Sequence, residues 1–168
     1  MCDIGGAAAM IALTLLQAVS GAIPKNPIAR WEWVFPVVET LHIFGFTMLV
    51  GAVTILDLRL LGATLRRIPI PQLAKDLSPW IWAGIVVQFI TGPYLFSGDP
   101  HEYIQIEAFR NKMLFLLLAL VYHFTVIRKA AAAPADASVP LGWRRPAAVV
   151  SLGLWFCVLL SGMWIGNL

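Results

Sequence analysis

The chain has 168 residues, of which 60% are hydrophobic and only 12% charged. A soluble domain carries about a quarter of its residues as Asp, Glu, Lys and Arg, so disorder, collagen, a disulfide scaffold and an ordinary cytosolic enzyme all fit poorly. The net charge of +3 lies in short Lys and Arg clusters between apolar runs, the pattern of loops beside membrane spans rather than of a nucleic-acid-binding face.

In chain order the first element is an apolar run over 4–23. It is long enough to cross a bilayer, but its head carries Asp3 and no Lys or Arg, unlike a signal peptide. Its small residues, with Gln17 and Ser20, favour an amphipathic helix on or dipping into the membrane surface; a fifth membrane helix is the alternative. Four longer runs predict transmembrane helices over 36–61, 79–96, 108–127 and 146–165. Each is near the roughly 20 residues needed to cross a 30 Å hydrocarbon core. In lipid each segment must satisfy its own backbone, so the runs are helices. Pro36, Pro79 and Pro146 suit the first turns of three of them. The stretch AAAAPADASVPL over 130–141 reads as a surface linker. The expected fold is all-α: one integral membrane domain over 1–168, a transmembrane four-helix up-down bundle with the additional N-terminal helix.

Arg59, Arg66, Arg67 and Lys75 flank one connection, and Arg128, Lys129, Arg144 and Arg145 another. Lys25, Arg30, Arg110 and Lys112 on the opposite face are offset by Glu32, Glu39, Asp99, Glu102 and Glu107. The loops 62–78 and 128–145 are therefore expected to be cytoplasmic. Trp31, Trp33 and Trp164 then form an outer aromatic belt, and Trp80, Trp82 and Trp143 an inner one. Cys2 and Cys157 make no disulfide framework, and Cys157 reads as a small buried hydrophobe.

Polar residues inside membrane spans are costly, so each is a candidate: Glu39, His42, Asp57, Gln88, Thr91, Lys112, His123, Ser151 and Ser161. Depth sorts them. With span centres at Thr47 and Leu118, His42 lies about 7 Å above the midplane, Lys112 about 9 Å above it and His123 about 7 Å below. His42 and Lys112 share a layer. His42 and His123 stand roughly 15 Å apart along the normal, which disfavours them as the two axial ligands of one upright haem. Lys112 and His123, eleven residues apart, share a helix face.

His42 is thus a candidate ligand for a cofactor or metal, against the plainer reading of an interhelical hydrogen bond. Gly45, one turn below, removes a side chain where a flat macrocycle would need room. Lys112 either joins this site or snorkels to the headgroups. His101, in the loop Ser97–Tyr103, is a candidate to cap a cofactor or to bind a metal with Asp99 and Glu102. His123, beside Tyr122, Arg128 and Lys129, reads as interfacial, and Asp57 with Arg59 as an interfacial ion pair. Glu39-x-x-His42 matches one helical pair of a di-iron bundle, but the spans supply no second pair. Gly162-x-x-x-Gly166 permits close helix packing or a homo-oligomer. HExxH, CxxC, GxSxG, P-loop and Rossmann motifs are absent, and the lack of CxxCH rules out covalent c-type haem.

The stretch from Trp33 through Pro36, Glu39, His42 and Gly45 to Gly51, Asp57, Arg59 and Gly62 resembles a large uncharacterised family of bacterial four-helix integral membrane proteins. So do Thr91-Gly-Pro-Tyr-Leu-Phe96, Phe109-Arg-Asn-Lys112 and Ser151-Leu-Gly-Leu-Trp155. The resemblance implies the fold and a bacterial inner-membrane location. A more distant likeness is to the HemJ-type protoporphyrinogen oxidase and CopD-type copper-resistance proteins, on His42, Gly51, Arg59, Lys112 and Tyr122-His123; the Trp and Pro flanking the HemJ motif are missing. That likeness implies His42 as a haem ligand, with Lys112 as second ligand or propionate partner. The resulting expectation is a b-type haem protein in the periplasmic half of the membrane. Glu39 and His101 would sit at the site's mouth, and electrons would pass to or from a periplasmic redox partner or quinone, as in a membrane oxidoreductase component. One alternative is copper handling through Glu39, His42 and His101, since imidazole suits copper. Another is a structural subunit of a larger membrane complex without cofactor.

Overall fold

The computed structural model describes residues 14, 18, 31–65, 67–132 and 141–165. Thr14 and Ala18 are helical; the rest of the expected 4–23 helix lies outside the described residues. All the regular structure described is helical, and four segments are long and apolar enough to cross a membrane: Val34–Leu61, Ile70–Phe96, Glu107–Ala132 and Trp143–Ile165. The chain is built as a multi-pass membrane protein.

Helix α1, Val34–Leu61, runs 28 residues, about 42 Å at 1.5 Å per residue. Two of its three threonines are satisfied within the helix: Thr40 Oγ1 donates to the Pro36 carbonyl at 2.7 Å and Thr47 Oγ1 to that of Ile43 at 2.9 Å. A hydroxyl in lipid has few other acceptors. The helix stops at Gly62, whose φ of 77° is left-handed and open to glycine at little cost. The Gly62 and Ala63 N–H groups return to the carbonyls of Arg59 and Leu58, each at 3.0 Å, and close the end.

Helix α2, Ile70–Phe96, starts nine residues before the expected Pro79, which lies inside it with Pro93. Pro71, not Pro79, occupies the first turn. The added turns, with Gln72, Lys75 and Asp76, are too polar for the apolar run yet still helical, and Leu73 is buried. Helix α6, Leu141–Ile165, likewise begins before its expected start and encloses Pro146. Between them come the short α3, Pro100–Gln105, then α4, Glu107–Tyr122, a π-helical turn, His123–Ile127, and α5, Arg128–Ala132. The last three form one continuous span. The expected linker from Ala130 is corrected at its start: Ala130 and Ala131 are helical and buried against Leu56, Leu60 and Ala148. Residues 133–140 lie outside the described residues.

Helix α1 packs most extensively on α2, and α4 on α6; α1 against α6 joins the two pairs, and α5 reaches α2 to close the ring. The short helices α3 and α5 mark the two ends of the bundle. Phe96, Tyr103 and Phe109 cluster at the α3 end, with Phe96 and Phe109 stacked at 5.6 Å. The central core gathers Leu49, Val53, Ile85, Ala119, Trp155 and Val158. Large apolar side chains also face outward, among them Phe44, Phe89 at 69% exposure, Leu117 and Phe156. A soluble surface would not carry that much apolar area, and a lipid-facing one requires it. Trp31, Trp33 and Trp164 are exposed near the α3 end, and Trp80, Trp82 and Trp143 toward the α5 end.

Candidate functional site

His42 is held by α2. Its Nδ1 lies 2.7 Å from Thr91 Oγ1, and Thr91 Oγ1 lies 2.7 Å from the Val87 carbonyl oxygen. A hydroxyl has one hydrogen. Thr91 gives it to the carbonyl, so His42 Nδ1–H donates to Thr91. This assigns the tautomer and leaves Nε2 as the nitrogen with a free lone pair. Gln88 Nε2 donates to the His42 backbone carbonyl at 2.5 Å. Gln88 and Thr91, three residues apart on α2, therefore fix both the ring and the backbone of one residue on α1.

Two glycines allow that approach. A Cβ on Gly84 would stand 2.7 Å from Leu49 Cβ and 2.9 Å from the Gly45 carbonyl oxygen, inside van der Waals contact. One on Gly45 would collide with Val87. Small residues at such crossings let membrane helices approach backbone to backbone. This corrects the expectation that Gly45 makes room for a macrocycle: Val87 of α2 already fills the space. Gly92 is nearer that description, since a Cβ there would meet His42 Cε1 at 3.6 Å.

Lys112 enters the same layer from α4. It is partly buried, and its charge acts on the His42 imidazole. Its Cε and Nζ lie 3.9 and 4.0 Å from where a Cβ on Gly162 of α6 would stand. His42 and Lys112 are thus in electrostatic reach across the bundle. Glu39 and His101 are not gathered with them. Both are exposed, and His101 Nε2 is paired 2.8 Å from Gln105 Nε2 within α3. A cleft of about 440 Å³ does open at the α3 end, but Trp31, Glu32, Phe35, Asp99, Glu102 and Tyr103 line it, not Glu39 or His101. Among the described residues no three His, Cys, Asp or Glu side chains come together as a metal site.

A second polar layer lies toward the α5 end and was misread in sequence. Asp57 is 0% exposed, and neither carboxyl oxygen has a hydrogen-bond partner. The expected interfacial ion pair of Asp57 with Arg59 is corrected: Asp57 is buried with no hydrogen bond from Arg59, whose Nε donates to the Ile68 carbonyl at 3.0 Å. Asp57 follows Leu49, Val53 and Leu56 on the buried stripe of α1 and so points inward. Ser151 of α6, 1% exposed, stands beside the carboxyl, yet its Oγ makes no hydrogen bond of good geometry. His123 is also buried, at 3% exposure, rather than interfacial; the π-turn begins at this residue, on the interior face it shares with Lys112.

A family model described as a family of unknown function (DUF6644) matches residues 33–168. The chain belongs to this family. The match spans every helix from α1 to α6, including His42, Thr91, Lys112, Asp57 and Ser151. No curated protein and no solved structure matches the chain.

Proposed function

We propose that the chain is a b-type haem protein of the bacterial inner membrane, with His42 as axial ligand. One observation carries this reading: Thr91 commits its hydrogen to Val87 and so holds the His42 ring with Nε2 basic and unprotonated, the form an iron ligand needs. Haem supplies reversible one-electron chemistry at an iron that already has four ring nitrogens. A single fixed imidazole is then a sufficient anchor from the protein. A bare copper ion needs several protein donors at once, and Glu39, His42 and His101 do not assemble, so copper handling has less support.

The chain's residues divide the work. Gln88 and Thr91 orient the ligand ring. Lys112, in the same layer, neutralises a propionate or serves as second ligand. The surrounding apolar helices exclude water and lower the local dielectric. The Lys and Arg bias of the loops 62–78 and 128–145 assigns them to the cytoplasm. The His42 layer then lies in the periplasmic half, open to a periplasmic redox partner or a quinone. The distant likeness to HemJ-type proteins at His42 and Lys112 agrees with this reading.

The test is an absorption spectrum of the detergent-purified protein from haem-replete cells, before and after dithionite. A Soret band with sharp α and β bands on reduction, lost in His42→Ala, is the expected result. A flat spectrum, or equal haem content in His42→Ala, would overturn it and favour a structural subunit that co-purifies with partners.

A further inference from the structure

The Asp57 layer is untouched by the haem reading and stands on separate observations. Asp57 is fully enclosed on α1, with both oxygens unpartnered, and Ser151 faces it from α6 with its own oxygen unpartnered. An uncompensated carboxylate in an apolar bundle is strongly disfavoured. No arginine hydrogen-bonds the carboxyl: both Asp57 oxygens lack a hydrogen-bond partner, and Arg59 Nε donates to the Ile68 carbonyl. Tyr122 of α4 also lies within electrostatic reach of Asp57, and it brings an oxygen rather than a positive charge. Trp155, one turn beyond Ser151, adds a buried indole N–H without a partner.

We propose that Asp57 and Ser151 form a binding site for a small monovalent metal cation of the sodium type, within the seam between α1 and α6. Charge selects the valence: one carboxylate neutralises one positive charge, and a divalent ion would leave a net charge in low dielectric. Donor type selects the class, since a carboxylate and a hydroxyl are hard oxygen ligands that suit alkali and alkaline-earth ions over soft metals. Water completes the shell, as it does in polar internal sites. The ion ties α1 to α6 and thereby joins the two helix pairs of the bundle.

The test compares thermal unfolding of the full chain in detergent, in sodium chloride and in choline chloride at equal ionic strength. Saturating sodium is expected to raise the unfolding temperature by about 5 °C. Asp57→Asn keeps the shape and should lose the whole sodium increment. Ser151→Ala should fold normally and shift half-saturation to about tenfold more sodium. Equal unfolding of the wild type in both salts, or an undiminished increment in Asp57→Asn, would overturn the site. So would a protonated-acid carbonyl stretch in the infrared that persists in saturating sodium and vanishes in Asp57→Asn, because the positive charge would then be a proton.

Discussion

His42 Nδ1 and Thr91 Oγ1 are 2.7 Å apart across the α1–α2 contact, and the hydroxyl's hydrogen is already given to Val87. Thr91 is therefore an acceptor for the ring, and an isosteric apolar residue cannot replace it. Thr91→Val should leave a part-buried N–H unpartnered and cost about 1–3 kcal/mol in stability. It should also weaken cofactor retention by about 10–100-fold, the usual effect of losing an outer partner of a ligating histidine. Thr91→Ser should restore both. Haem content per protein and thermal unfolding, measured on the three proteins, check this.

His123 makes the opposite prediction. Its buried Nδ1 has no partner, and its ring stands edge-on to Phe124. An apolar ring of similar shape removes an unsatisfied group, so His123→Phe should be neutral or mildly stabilising. The visible spectrum should not change. A lost Soret band in this variant would move the axial ligand away from His42.

The glycines separate packing from backbone cost. Gly84→Ala forces a methyl against Leu49 and the Gly45 carbonyl and should destabilise by about 1–3 kcal/mol. Gly153→Ala, on α6, meets nothing within 4 Å, and should gain about 0.5–1 kcal/mol of helix propensity. Unfolding by titrated denaturing detergent would show the two shifts in opposite directions. A neutral or stabilising Gly84→Ala would contradict the close crossing of α1 and α2.

The π-turn over His123–Ile127 holds one more residue than an α-helical path would need. Deleting Thr125 should restore α-geometry and leave everything beyond in nearly its present register. Ile127, Ala130 and Ala131 would still pack on Leu56 and Leu60. The deletion should therefore cost little, as should Thr125→Ala at this exposed position. A markedly destabilised deletion variant would mean that the π-turn itself, and not the register it keeps, sets this packing.

The four spans were legible because a bilayer imposes a length of apolar sequence that few other constraints do. Their starts at Pro79 and Pro146 were misread. Proline marks a first turn only when nothing helical precedes it, and here the polar turns before each proline are helical too. Counting helix rise pointed to His42 and Lys112 together, and the two are in electrostatic reach across the bundle. Which residue of α2 meets His42 was not legible, since it depends on a helix register that Gly45, Gly84 and Val87 set together. The burial of Asp57 was available in principle: it falls on the stripe of Leu49, Val53, Leu56 and Leu60, and the adjacent Arg59 drew the reading to the surface instead. Nothing in the residues 123–127 announces a π-turn.

The contacts that fix His42 come from Gly84, Val87, Gln88, Thr91 and Gly92, so all of them lie in the first helix pair. Synthesis proceeds from the N-terminus, and early segments fold as units while later ones are still being made. The His42 ring can thus be oriented once Phe96 has left the ribosome, before α4 or α6 exists. Lys112 and the Asp57–Ser151 seam are added afterwards, when the second pair docks. Assembly of this protein can thus be ordered in time: the helix pair that holds His42 is finished first, and the half that packs on it arrives second.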